Sequence, residues 1–426
     1  MKRKYLSLKK ITPLIVLVTS GIAHAQVNTS LNLYNSGSIF VESKEVLSVQ
    51  GQFENAKGAS FTNLGEVHFL DDFNNEGDFV FSKTERGSKV FFSQLEGTKI
   101  KKKISGGANS TEFDNVFFDT EGIDLQNEIS ISGRANFERG NVIVNTPLSG
   151  SITFTEGSSI GSVGDSSHVV GMADREGKSE LTMPIGDGTY YRPITLGDSK
   201  GTKDLFQSEY KRSNPLVGRT HTKKNAIVEI NNAEYWEVKN EVKDGGAIIL
   251  TLSWNEKTTP ASLLVNPEKG LHILRWDAKE LVWVDEGGIV DVTSKTVRTP
   301  MTVNASGIFT LGIVDVDYNA EIKIYNAVSP NGDGLNDYFI IENIGKYPNT
   351  VEIFNRWSSK VYSTTNYDPN GDGSTNVFKG EAEGKGVSSS GKLATGTYYY
   401  IVRYEVRTAN GSEWIKRSGY LHLENN

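Results

Sequence analysis

Asp368, Asn370, Asp372 and Asn376 occupy positions one, three, five and nine of a D-x-N-x-D-G loop whose sixth position is Gly373. Hard oxygen donors at alternate positions, with a glycine at the sharp bend, are what a calcium ion selects. Position twelve is Lys379 instead of the bidentate acid, and no helical pattern flanks the loop. The same run therefore also reads as a plain turn of Asn, Asp and Gly, residues that tolerate positive φ and bond their own backbone. A second run, Ser329-Pro330-Asn331-Gly332-Asp333-Gly334-Leu335-Asn336-Asp337, has Ser329 in place of the first acid. There Pro330 ends the alternating strand Ile322-Lys323-Ile324-Tyr325, and two Asx-Gly pairs turn the chain before the apolar stretch Tyr338 to Ile341. Calcium is the one cofactor these spacings admit.

Other chemistries find less support. The chain has no cysteine, which removes thiol catalysis, thiolate metal sites and disulfides. After the N-terminal segment the histidines are His68, His168, His221, His272 and His422, with no H-E-x-x-H and no i, i+4 pair. Gly157-Ser158-Ser159-Ile160-Gly161 matches G-x-S-x-G, but strand-like sequence lies on both sides, where a nucleophile elbow needs a helix to follow. Asp71, Asp72, Asp114 and Asp119 could serve a polysaccharide-degrading site, yet their spacing gives no catalytic pair. The expectation is a protein that is not an enzyme. Trp236, Trp254, Trp276 and Trp283 alternate with polar residues on short strands; they read as core, with a sugar-stacking platform as the alternative. A formal charge of −7 argues against nucleic acid, and Lys99 with Lys101 to Lys103 reads as a solvated strand or loop.

The elements that must position these residues are strands. Among 426 residues, 43 glycines and 11 prolines accompany abundant Val, Ile, Phe, Tyr, Asn and Thr, an all-β profile without helical spacing. Residues 1–25 read as a signal peptide: a basic start, an apolar stretch from Ile11 to Ile22, and Ala23-His24-Ala25 as the cleavage signal. Residues 26–181 repeat the pattern apolar-x-Asn at Leu33-Tyr34-Asn35, Phe53-Glu54-Asn55, Phe73-Asn74-Asn75 and Phe113-Asp114-Asn115, in steps of 20, 20 and twice 20. A period of 20 suits one coil of a parallel β-solenoid, with Phe53 on Phe73 inside and Asn35, Asn55 and Asn75 in a corner ladder. The same register stacks Glu54, Asn74, Gln94 and Asp114 as a solvated polar column. An antiparallel sandwich with regularly spaced turns is the competing architecture. Residues 182–316 lose the repeat and read as an immunoglobulin-like β-sandwich; residues 317–426 read as a compact antiparallel β-sandwich.

In that last segment the turn Ser329 to Asp337 is followed by Val351-Glu352-Ile353-Phe354-Asn355-Arg356-Trp357, Lys360-Val361-Tyr362, Gly396-Thr397-Tyr398-Tyr399-Tyr400 and Gly419-Tyr420-Leu421-His422-Leu423. The series resembles the gliding motility-associated C-terminal domain, the type B sorting domain of Bacteroidetes type IX secretion. Ser329 to Gly334, Asn336, Asp337, Asn355 to Trp357 and Gly396 to Tyr398 carry the resemblance. Ser358 stands where the family usually has Gly, Ala394 where it usually has Pro, and Phe378-Lys379-Gly380 where Trp-Asp-Gly is common. The resemblance implies recognition by the type IX translocon and retention on the outer face of the outer membrane by a PorP/SprF-like β-barrel. On that basis the expected protein is a non-enzymatic surface adhesin or accessory subunit of a barrel complex. An extracellular carbohydrate-binding protein or glycan-degrading enzyme using the solenoid, with surface polysaccharide as partner, is the alternative.

Overall fold

The computed structural model describes residues 5–7, 31–95, 97–107, 111–199, 204–219, 223, 227–241, 247–315, 322–384, 391–408 and 411–425. Of the segment read as a signal peptide, only Tyr5–Ser7 is described, a short strand parallel to Asn32–Asn35. The rest of that segment and the expected boundary at 316/317 lie outside the described residues. The described chain is all β, interrupted by short 3-10 turns, and none of its helices is long and apolar enough to cross a membrane. Contacts divide it into two units, residues 1–211 with 236–246, and residues 212–235 with 247–426.

The first unit is a parallel β-solenoid with three faces. One face runs Asn32–Asn35, Phe53–Asn55, Phe73–Asn75, Lys102–Gly106, Ile123–Leu125, Val142–Val144, Val169–Val170 and Ile185–Gly186. The second runs Val46–Val49, Glu66–Phe69, Lys89–Ser93, Asn115–Asp119, Arg134–Arg139 and Ser159–Ile160. The third begins with Ser38–Val41, Ser60–Asn63 and Asp78–Phe81, and continues through Glu112–Phe113, Glu128–Ile131, Ser151–Phe154 and Ala173–Glu176. Leu205–Lys211 then pairs antiparallel with the last of these. The parallel stack thus extends past residue 181.

Inside, Phe53 packs on Phe73 with ring centroids 5.2 Å apart, Phe61 on Phe79 at 4.7 Å, and Phe92 between Phe69 and Phe118 at 5.7 and 5.9 Å. Each such ring is worth roughly 1.5–3 kcal/mol when fully buried, and no coil can bury its own without a neighbour. At one corner Asn35 Nδ2 donates to Asn55 Oδ1 (2.8 Å) and Asn55 Nδ2 to Asn75 Oδ1 (2.7 Å). The expected ladder is present. It continues beyond the expected residues: Asn75 Nδ2 donates to Thr111 Oγ1 (2.7 Å), which also accepts from Asn127 Nδ2 (3.3 Å).

The fourth coil corrects the register. Phe73 stacks on Ile104, and Asn74 beside Ser105, not Gln94. Two longer connections, 82–88 and 94–101, lengthen this coil, so the fourth apolar-x-Asn copy falls elsewhere. Phe113 lies on the third face, and Asp114 is a buried corner residue paired with Arg86 at 2.5 Å, not part of a solvated column. Nor is the lysine cluster uniformly solvated. Lys102 is buried, its Nζ donating to Leu70 O (2.5 Å), and burial lowers its pKa against the pull of Asp71 and Asp72. Ser159–Ile160 is a second-face strand, as the rejection of a nucleophile elbow requires.

The second unit contains two antiparallel groups and the C-terminal segment. Ile227–Ile230, Gly307–Val314, Leu271–Asp277 and Val282–Gly287 pair in that order, as do Leu250–Ser253, Thr296–Arg298 and Ile289–Asp291. The C-terminal segment forms a seven-stranded sheet in the order Ala327–Val328, Gly411–Leu423, Gly396–Thr408, Asn349–Phe354, Lys360–Thr365, Glu381–Gly384, Gly391–Lys392. Lys323–Ile324 and Ile341–Glu342 make a separate ribbon. Phe339, Tyr367 and Phe378 join Val351, Ile353, Val402, Tyr404 and Leu421 in one core. The Tyr367 hydroxyl donates to Phe339 O (2.5 Å) and accepts from Phe378 N–H (3.1 Å), so its burial leaves no orphaned oxygen.

Candidate functional site

The residues singled out in the C-terminal segment are turn residues held by their own side chains. In the first turn, Asp337 accepts Gly332 N–H on Oδ1 (2.7 Å) and Gly334 N–H on Oδ2 (2.8 Å). Asp333 Oδ1 accepts Leu335 N–H (2.7 Å), and its Oδ2 accepts from Asn331 Nδ2 (2.9 Å). The Asn331 side chain and the Leu335 N–H favour the charged form and hold the Asp333 carboxyl below its ordinary pKa. Ser329 N–H closes the base on Asn336 O (2.7 Å), and Asn336 itself takes φ +55°. Leu335 stands at the tip, exposed.

The second turn is built likewise. Asp368 is buried and its Oδ1 accepts N–H groups from Asp372 (3.1 Å) and Gly373 (2.9 Å). Asp372 Oδ1 accepts the N–H (2.9 Å) and hydroxyl (2.5 Å) of Ser374, which lowers its pKa. Asn370 Nδ2 donates to Ser374 Oγ (3.3 Å), and Asn376 Nδ2 to Asn366 O (3.2 Å). Gly373 has φ +72°, and a Cβ there would run into the ring of Tyr338. The four candidate calcium ligands are thus brought into one turn, each already bonding that turn's own groups. Among the described residues no group of three or more His, Cys, Asp or Glu is arranged to hold a metal. Asp368 meets both N–H groups through one oxygen, Oδ1.

Asn355, Arg356 and Trp357 form the tight link between Asn349–Phe354 and Lys360–Thr365. Asn355 Oδ1 accepts N–H from Trp357 and from Ser359, both at 3.0 Å, and the Arg356 guanidinium lies 4.3 Å from the Trp357 ring centroid. Ser358 takes φ +59°, which accounts for the glycine usual at that place in the family it resembles. Gly396 and Thr397 open the long strand that carries Tyr398, whose hydroxyl donates to Ala394 O (2.8 Å). Glu352, on the neighbouring strand, receives Lys360 (2.6 Å) and Arg403 (2.7 Å); burial opposes its ionisation, but these bonds hold its pKa below the ordinary value.

The tryptophans separate into two classes. Trp236, Trp254, Trp276 and Trp283 are at most 8 % exposed, which supports the core reading and removes them as a sugar platform. Trp236 donates from Nε1 to Arg192 O (3.0 Å) and packs on Tyr210; Trp276 faces Trp283 across a strand pair at 5.5 Å. Trp357 and Trp414 are 67 % and 50 % exposed. Trp414 escaped the sequence reading although its strand carries the signal: Ile415, Leu421 and Leu423 point to the core, so even-numbered Trp414 points away. Each of the solenoid aspartates Asp71, Asp72, Asp114 and Asp119 has a bonding partner, Asp71 accepting Asp72 N–H (2.8 Å). Asp119 bonds Arg139 (3.0 Å), Asp114 bonds Arg86, and Asp72 accepts Lys103 N–H (2.9 Å).

Residues 322–423 match the CHU_C Type IX secretion signal domain. No curated protein and no solved structure matches the chain.

Proposed function

We propose that this type IX cargo protein, whose residues 322–423 are a Bacteroidetes C-terminal sorting domain, is a non-enzymatic surface component retained at the outer membrane. The sorting domain accounts for handling by the type IX system and for export to the surface. Retention by a PorP/SprF-like barrel, and service as an adhesin or accessory subunit of such a complex, is the finer reading. It is supported by a solenoid in which Asp114 and Asp119 are bonded to arginines and the phenylalanine rings fill the interior. An immunoglobulin-like sandwich for residues 182–316 and an antiparallel sandwich for residues 317–426 belong to this reading.

The observation that carries the proposal is the sorting domain at 322–423. Deleting residues 317–426 should leave the remainder periplasmic; a truncated chain that still reached the surface would overturn it. Retention is tested separately, by gentle detergent extraction and purification through this protein. Recovery of a stoichiometric β-barrel supports the complex-subunit reading, and recovery of the chain alone from culture medium opposes retention.

A further inference from the structure

The C-terminal segment also carries a groove that its sorting turns do not use, lined by residues 345–350, Thr365, Asn366 and Trp414, with a volume of about 510 Å³. That is within the roughly 300–1,000 Å³ of small-ligand sites, and the groove is open to solvent. Trp414 supplies an indole on the outward face of the long hairpin. Facing it are Pro348 and Tyr347, the latter packed at 5.7 Å on buried Tyr404. Glu405, directly across the hairpin from Trp414, donates its N–H to Pro348 O (2.9 Å), so the two walls are joined.

The groove is preformed. Buried Asn349 lies under it and fixes both connecting segments at once. Its Nδ2 donates to Ile344 O (3.1 Å), Tyr347 O (3.0 Å) and Tyr367 O (3.4 Å), while its Oδ1 accepts Tyr367 N–H (2.7 Å). A site held open in this way loses little ordering entropy on binding.

The lining chemistry restricts the occupant. It contains aromatic and proline surface, hydroxyl and carboxamide groups, one lysine and no carboxylate. A phosphorylated ligand would call for an arginine cluster, and a wholly apolar one for a closed cavity. A sugar ring presents a C–H face to an indole and hydroxyls to Thr365 and Asn366, and a groove open to solvent leaves room for the rest of a sugar chain. We propose that this groove binds a short stretch of a polysaccharide chain. The proposal rests on the export reading only for the meeting of groove and glycan outside the cell.

The test uses the purified full chain in affinity electrophoresis through gels containing xyloglucan, galactomannan, glycol chitin or alginate, with a poly-L-proline peptide titrated separately. At least one polysaccharide should retard the protein. Trp414→Ala should weaken that retardation at least tenfold, Trp414→Phe should keep most of it, and Trp357→Ala should leave it unchanged. Circular dichroism on each variant checks folding, and Trp414→Phe covers the case in which the alanine variant fails to fold. Retardation by none of the four, retention of binding in Trp414→Ala, loss in Trp357→Ala, or binding of the peptide alone would each overturn the proposal. Since binding is measured on purified protein and export in cells, failure of one leaves the other standing.

Discussion

Ser358 sits at φ +59°, where an L side chain with Cβ meets its own carbonyl. That conformation costs a non-glycine residue roughly 1–2 kcal/mol, partly offset because glycine loses more freedom on folding. Ser358→Gly is expected to stabilise the C-terminal segment by up to about 1 kcal/mol, seen as a higher urea midpoint with unchanged slope. A lower midpoint would mean the serine side chain contributes more than its backbone strain costs. Two buried titratable groups in the solenoid unit act on stability with opposite signs. His168 is neutral: its Nδ1 bonds Gly164 O (2.9 Å) and its Nε2 accepts Gly188 N–H (2.9 Å), with burial lowering its pKa. Its contribution is complete above the ordinary value near 6.5 and declines as pH falls below it. Asp174 is pushed up to about 6, chiefly by burial, against hydrogen bonds from Gln207 and Ser151. Its raised value favours the fold at low pH, and that advantage is lost as pH rises from about 4 through 6. Asp174→Asn should therefore raise stability by about 1–3 kcal/mol at pH 7.5 and change little at pH 4, measured by urea unfolding at both. A gain of equal size at both pH values would show that packing, not ionisation, is responsible.

At the scale of elements, the asparagine ladder converts a sequence period into a corner. Asn55 lies in its middle and serves three partners, Asn35, Asn75 and Asp78 O. Truncating it strands buried groups on both neighbouring coils, each costing roughly 1–3 kcal/mol. Asn55→Ala should thus cost about 2–4 kcal/mol, while Asn127→Ala, at the ladder's end with a 3.3 Å side-chain bond to Thr111 Oγ1, should cost less. Equal losses would mean the ladder is not cooperative along its length. The ladder and the Phe53–Phe73 stack were legible in the sequence because coils of equal length return equivalent residues to equivalent places. The fourth coil was not, since a corner connection can lengthen without disturbing the strands it joins, and spacing alone then miscounts. Thr111, a residue with no asparagine signature, is thus the rung after Asn75. In the C-terminal segment the turns were legible from Asn, Asp and Gly. Their hydrogen-bond closure was not, because a carboxylate spaced for calcium is equally spaced for backbone N–H groups. Trp414 was legible in principle, from strand alternation, once the register with Glu405 is fixed.

For the whole molecule, a coil that touches only its neighbours should be removable without loss of the rest. Deleting residues 53–72 removes 20 residues and joins Gln52 to Phe73, bringing Phe73 beside Leu33, Asn75 beside Asn35 and Lys89–Ser93 beside Val46–Val49. All three faces keep their inward residues inward, so the cost is about one inter-coil interface and not the fold. Deleting residues 53–62 instead shifts the faces out of phase and places polar residues inside. Because the sorting domain lies at 322–423, the 20-residue deletion should reach the cell surface like the parent chain. The ten-residue deletion should be recovered as protease-sensitive material. Limited proteolysis of surface-exposed protein in both strains decides the matter: equal sensitivity of the two deletions would show that the solenoid is not assembled from interchangeable coils.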